Sequence, residues 1–282
     1  MARSSSHCDQ CTETSRSLVE AYRAKVVDED DAEADVSLWV VHYRGGECEF
    51  ELGRLYAASA DPLDRITGAQ VLAQLGWGDR TWLAESVQIL ISLLCDPDPR
   101  VIAAAACALG HRRDPSAIPH VLPLITHSDA DVRFGVVQAL SCHEEDAAIE
   151  GLIRLAADPE RDVCNWAAFG LGSLTQRDTP DLRDTLARLL DHSDAEIRGE
   201  AMIGLARCHD PRAFPAVARE LAGEFEGAWC VEAAELLADP RLLPLLQARR
   251  GTLAQQDEIR FADDFEQAEK ACQPNEASPK EL

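Results

Sequence analysis

The sequence predicts an all-α protein, an α-solenoid of stacked helical hairpins, and three observations carry that prediction. A leucine recurs at Leu72, Leu109, Leu140, Leu171, Leu205 and Leu237, with spacings of 37, 31, 31, 34 and 32 residues. Asp-Pro pairs follow three of these leucines, at Asp114-Pro115, Asp210-Pro211 and Asp239-Pro240. Hydrophobic residues make up 46% of the 282 but aromatics only 5%, and such an Ala- and Leu-based core suits close-packed helices better than strands. A sustained period of this length marks units that cannot cover their own apolar face and must stack.

Within each unit the elements follow in order. Most units open on an acidic or Pro-containing turn, as in Asp61-Pro62-Leu63-Asp64-Arg65, Asp131-Val132-Arg133, Asp162-Val163 and Glu196-Ile197-Arg198. A carboxylate there caps a helix by accepting from its free N–H groups, so a first helix runs from the turn to the recurring leucine. Val132, Val136 and Leu140 then share one face. A small residue follows each leucine: Ala73, Gly110, Ser141, Gly172, Ala206 or Ala238. Each Asp-Pro pair opens a second helix, because proline in a first turn gives up an N–H that has no partner there anyway. The second prolines, Pro119, Pro215 and Pro244, stand at the limit of that tolerance. Leu182, Leu186, Leu189 and Leu190, and Ile149, Leu152, Ile153 and Leu155, supply the apolar face of the second helix in two other units. One buried leucine contributes only about 1.5–3 kcal/mol, so a single hairpin depends on its neighbours.

The ends read differently. Residues 1–35 are expected to hold a helix around Ser15–Val27 and an acidic loop, Asp28-Glu29-Asp30-Asp31. The solenoid is assigned to 36–251, beginning with an atypical hairpin, Val36–Arg44 and Cys48–Tyr56, broken at Gly45-Gly46. In 252–282, Leu253, Ile259, Ala262, Phe265 and Ala268 form an apolar stripe on a capping helix, and the polar tail from Gln273 reads as disordered.

The blocks Asp131-Val132-Arg133 through Gln138-Ala139-Leu140, Ile197-Arg198-Gly199-Glu200-Ala201 through Gly204-Leu205-Ala206, and Asp210-Pro211-Arg212-Ala213-Phe214-Pro215 resemble the HEAT-repeat family, in its short bacterial form called PBS-lyase HEAT-like repeats. The likeness covers about residues 60–250. It implies a right-handed superhelix of about six HEAT-type hairpins after the N-terminal one, in a family of scaffolds, adaptors and a few enzymes. The second unit departs with Pro99-Arg100-Val101, and the sixth with Glu226-Gly227-Ala228-Trp229.

Charge narrows the partners. Fifty acidic residues against 27 basic ones leave a formal −23, a field that repels phosphate and anionic lipid and favours a basic protein. The first dozen residues are polar, and no apolar run approaches a membrane span, so a cytoplasmic protein is expected. The ten cysteines read as free thiols. Lysine occurs only at Lys25, Lys270 and Lys280, and this arginine bias points to a GC-rich bacterial genome.

His7, Cys8 and Cys11 supply a lone CxxC, short of the four ligands of a structural zinc. Similarity to the HEAT-repeat deoxyhypusine hydroxylases would imply His-Glu pairs after the first-helix Val-Arg. The pairs here are Ile66-Thr67, Ala103-Ala104, Phe134-Gly135, Asn165-Trp166 and Gly199-Glu200, of which only Glu200 fits. His143-Glu144 falls in the following turn. Bilin lyases share the repeat but no spacing here defines a tetrapyrrole pocket, and the HEAT-like DNA glycosylases need a basic face, whereas Arg112-Arg113 and Arg249-Arg250 read as solvated helix ends. Cys107, Cys142, Cys164, Cys208 and Cys230 read as small core residues.

The remaining polar cluster is Arg161, Asp162, Asn165, Trp166, Arg198, Glu200, Arg207 and Glu232. It reads either as an inter-repeat ladder, with Arg198 pairing Asp162 or Arg207 pairing Glu200, or as a partner-binding ridge whose Trp is a hot spot. The expected function is a non-enzymatic adaptor for a basic protein, with no cofactor. The alternatives are a bilin-lyase or deoxyhypusine-hydroxylase-like enzyme, and a nucleic-acid-binding or repair protein that the charge disfavours.

Overall fold

A computed structural model of the chain describes residues 5–26, 31–223, 227–253 and 255–274, and every regular element among them is helical. The chain is an all-α solenoid of hairpins that divides into two compact units, 1–155 and 156–282. None of the described helices is long and apolar enough to cross a membrane.

The first unit comprises α1 (Ser5–Val26), α2 (Asp31–Arg44), α3 (Glu47–Ala57), α4 (Pro62–Ala73), α5 (Leu83–Leu93), α6 (Pro99–Arg112), α7 (Ile118–Val121), α8 (Ala130–Leu140) and α9 (Asp146–Leu155). The leucine-bearing helices α4, α6 and α8 pack in series, α3 covers the free side of α4, and α2 lies along α1. The second unit holds α10 (Arg161–Phe169), α11 (Pro180–Leu189), α12 (Ala195–Arg207), α13 (Ala213–Ala222), α14 (Trp229–Leu237), α15 (Leu243–Arg250), α16 (Gln255–Arg260) and α17 (Ala262–Ala271). There α10, α12, α14 and α17 pack in series, with α13 against α15.

The recurring leucines form the core. Leu72, Leu109, Leu140, Leu171 and Leu205 are fully buried, whereas Leu237, in the last leucine-bearing helix, is half-buried. The small residue after them marks a close approach of successive helices. A Cβ on Gly110 would lie 2.4 Å from the Gln138 carbonyl oxygen of α8, and one on Gly172 would lie 2.3 Å from that of Glu200 on α12.

The turns explain the acidic signature. Asp61, Asp98, Asp129 and Asp194 stand at N-caps, each accepting from the backbone N–H two residues on. Four residues past the cap, an arginine closes three of these turns in one way. Arg65 Nη1 donates to the carbonyls of Ser59 and Ala60 at 3.1 and 3.0 Å. Arg133 does so to His127 and Ser128 at 2.9 and 3.3 Å, and Arg198 to His192 and Ser193 at 3.0 Å each. The arginine that recurs four residues past the cap is therefore a turn clasp. Asp162 does not cap; Glu160 occupies that position and makes no side-chain cap bond.

Several sequence expectations are corrected. Asp114-Pro115 and Asp239-Pro240 each open a 3₁₀ turn, Pro115–Ala117 and Pro240–Leu242, before α7 and α15 begin. The second proline lies four residues after the first and cannot supply the N–H an α-helix would need there, so the tighter turn takes its place. The C-terminal stripe is split: Phe265 and Ala268 of α17 are buried, but Ile259 of α16 is 74% exposed. Helix α1 begins well before Ser15, and Asp28–Asp30 and the tail beyond residue 274 lie outside the described residues. Arg112 is not a solvated helix end: it is 1% exposed and donates to the Leu75 and Thr81 carbonyls and the Ser86 hydroxyl.

Candidate functional site

The N-terminal ends of α10 and α12 bring together three of the polar residues singled out in the sequence. Arg161 Nε donates to Asp194 Oδ2 at 2.7 Å, its Nη1 to Asp162 Oδ1 at 3.0 Å and its Nη2 to Glu196 Oε2 at 2.5 Å. Asn165 Nδ2, one turn on, donates to the same Glu196 oxygen at 3.0 Å. The hydrogen bond with Asp194 first, and those with Asp162 and Glu196 after it, hold the Arg161 guanidinium still more firmly protonated than usual. One cation thus meets three carboxylates, and the edge keeps a surplus of negative charge. Asp162 and Glu196 remain 73% and 44% exposed. Beside them on α10, Trp166 is 37% exposed and meets Phe169 edge-to-face at 5.5 Å.

The other members of the cluster do not join this edge. Arg198, expected to pair with Asp162, instead donates to Glu220 Oε1 on α13 at 2.9 Å while clasping its own turn. Arg207 donates to the Leu171 carbonyl at 3.1 Å rather than to Glu200. Glu200 is buried and accepts from the Ser173 hydroxyl at 2.5 Å. Burial, with the charge of Glu232 adding to it, pushes the Glu200 carboxyl above its ordinary range. Glu232 itself is exposed on α14. The cluster is therefore mostly a set of inter-repeat and turn bonds, with one exposed acidic edge.

The position of the hydroxylase-type pair, Gly199-Glu200, is closed by packing. A Cβ on Gly199 would lie 2.3 Å from Cγ of Trp229, so that ring fills the space a histidine would need. Among the described residues, no group of three or more His, Cys, Asp or Glu side chains is placed to hold a metal. His7, Cys8 and Cys11 lie on α1, but their side chains are outside the described set. The cysteines divide: Cys164, Cys208 and Cys230 are buried and Cys107 half-buried, whereas Cys142 is exposed in a turn at φ 65°.

Sequence reasoning missed that Asp194 and Glu196 are the acceptors for Arg161, although the spacing of one repeat signals it. It also missed Trp39, Tyr43 and Trp77, which are 54%, 72% and 55% exposed. Their only sequence signal is the scarcity of aromatic residues elsewhere.

Fold and site together define a helical-repeat protein with an acidic, aromatic-bearing edge. The profile of HEAT repeats matches residues 52–141, 87–172 and 146–238, and the chain belongs to this family. Protein YibA of Escherichia coli strain K12 is 29% identical over 215 residues, covering 73% of this chain and 76% of that protein. The X-ray structure of Escherichia coli YibA aligns over 94% of this chain and 97% of its own, with a TM-score of 0.65 and 25% identity. An engineered protein of known crystal structure aligns over 90% of this chain and 77% of its own, with a TM-score of 0.55 and 18% identity.

Proposed function

We propose that the chain is a non-enzymatic cytoplasmic adaptor that holds a protein partner with a basic surface on the edge formed by Asp162, Trp166 and Glu196. The observation that carries this reading is the excess of carboxylates around Arg161 next to a half-exposed tryptophan. Such an edge offers a cationic partner both charge and an aromatic anchor, the combination typical of interface hot spots. The −23 net charge adds a long-range field that speeds encounter with a basic protein.

The test is affinity capture with the full chain, identification of the partner by mass spectrometry, and measured association kinetics. The association rate is expected to fall as salt rises from about 50 to about 500 mM, with dissociation changing less. Trp166→Ala and the double change Asp162→Asn, Glu196→Gln should weaken the complex without lowering helicity. An acidic partner, or an association rate insensitive to salt, overturns the reading.

A further inference from the structure

Helix α2 carries an apolar face that nothing among the described residues covers. Val36, Trp39 and Tyr43 stand at i, i+3 and i+7 and are 63%, 54% and 72% exposed. The whole chain has five tryptophans and three tyrosines, so two exposed rings on one helical face are not a by-product of an aromatic-rich composition. The rings of Trp39 and Tyr43 lie 5.7 Å apart at 19°, which holds their π-faces nearly parallel.

A third exposed ring is fastened to the end of the same helix. The Gly76 N–H donates to the His42 carbonyl at 2.9 Å, and Trp77 follows. Three non-glycine residues of this loop, Trp77, Arg80 and Trp82, adopt φ of 39°, 50° and 55°, a region that side chains with a Cβ disfavour. The surroundings enforce it. Buried Arg112 donates to the Leu75 carbonyl at 3.0 Å and the Thr81 carbonyl at 2.8 Å, at both ends of the loop. Thr81 Oγ1 donates to the Gly45 carbonyl at 2.8 Å, and Trp82 stacks on Phe50 at 4.7 Å. The loop is thus clamped from within, while Trp77 is left outside.

The chain as a whole carries a formal charge of −23. Asp79 is exposed two residues beyond Trp77, and the adjoining Arg80 is half-buried. At the C-terminal end of α2, Arg44 donates to the Ser15 hydroxyl of α1 at 2.9 Å, and burial keeps His42 neutral at neutral pH. An anionic bilayer would be repelled by the chain's net charge. Exposed rings on a chain of this charge, with Asp79 beside Trp77, instead match a segment that is apolar on one face and cationic on the other.

We propose that Val36, Trp39 and Tyr43 of α2, with Trp77, form a second recognition surface, which receives a basic amphipathic helix of a protein partner. The apolar face of that helix lies on the stripe, and its arginines and lysines meet the rings and Asp79. This surface rests on the adaptor reading for the existence of a partner, but it uses residues distinct from Asp162, Trp166 and Glu196.

The test titrates the full chain into a fluorescently labelled helical peptide with leucine on one face and arginine and lysine on the other. One control peptide carries glutamate in place of the basic residues, and another serine in place of leucine. The basic amphipathic peptide should bind, and both controls at least about tenfold more weakly. The double variant W39A/Y43A and the single variant W77A should each weaken binding at least about tenfold with unchanged circular dichroism, while W166A leaves it unchanged. Y43S, at a highly exposed position, serves as a second variant should W39A/Y43A fold poorly. Binding unaffected by the α2 and Trp77 variants but lost in W166A removes this surface and leaves the adaptor reading standing. Equal binding of the glutamate peptide overturns the proposed partner chemistry. A homodimer by sedimentation that W39A/Y43A dissolves overturns it in favour of a second copy of the chain.

Discussion

Arg65 grips both oxygens of Asp96, with Nε to Oδ2 at 2.7 Å and Nη2 to Oδ1 at 2.8 Å, joining the first turn of α4 to the turn before α6. The two side chains are only 13% and 6% exposed, so solvent screens the pair weakly. Hydrogen bonds to charged groups contribute roughly 1.5–3 kcal/mol, and Arg65→Ala should destabilise the protein by about that amount. Arg65→Lys should recover part of it, because an ammonium keeps the charge but loses the two-pronged geometry. The bond from Arg65 holds the Asp96 carboxyl below its ordinary value near 3.8. A depressed carboxylate pKa stabilises the fold above that value and stops doing so as pH falls through the folded pKa. Chemical denaturation of Asp96→Asn should therefore show less acid sensitivity below about pH 4 than the parent.

His42 should govern stability in a higher pH window. It is 4% exposed, donates from Nε2 to the Gln70 carbonyl at 2.8 Å, and burial pushes its pKa down from 6.5 to about 4. Because the folded state resists protonation, this stability is complete above the unfolded pKa of 6.5 and is lost as pH falls toward 4. The loss is on the order of 3 kcal/mol at its limit. Melting temperature measured between these values should fall less in His42→Gln than in the parent; parallel curves would show that His42 does not carry the effect.

Gly110→Ala should be destabilising although alanine is the better helix former by about 1 kcal/mol. The added methyl would meet the backbone of α8 at Gln138, and overpacking typically costs about 1–3 kcal/mol. Denaturant midpoints decide it: a stabilised variant would mean that the helices separate easily.

Thiol labelling should separate the described cysteines. Cys95 and Cys142 are exposed, whereas burial pushes the thiols of Cys107 and Cys164 up to about 11 and that of Cys230 up to about 12. Iodoacetamide followed by peptide mass spectrometry should find Cys95 and Cys142 modified first, since the thiolate is the reactive form. Early modification of Cys230 would contradict the packing of α14.

The hairpins were legible in the sequence because periodicity and capping are local. The helical face that Leu140 occupies and the cap at Asp129 are set by residues within two turns. The ridge was only partly legible, because a partner one repeat away is chosen by turn geometry. Arg161, the first residue of α10, reaches forward to Asp194, while Arg198, the fourth residue of α12, is turned back onto its own carbonyls and toward Glu220. Nothing in the pair Arg112-Arg113 distinguishes a solvated guanidinium from one enclosed among carbonyls; that depends on the 76–82 loop folding around it.

The arginine shared by Arg65, Arg133 and Arg198 binds carbonyls five and six residues before itself in the same unit. Each such unit brings its own fastening. A duplicated repeat inserted elsewhere in the gene would arrive with its turn already closed, so arrays of this kind can lengthen or shorten by whole units while the joints stay intact.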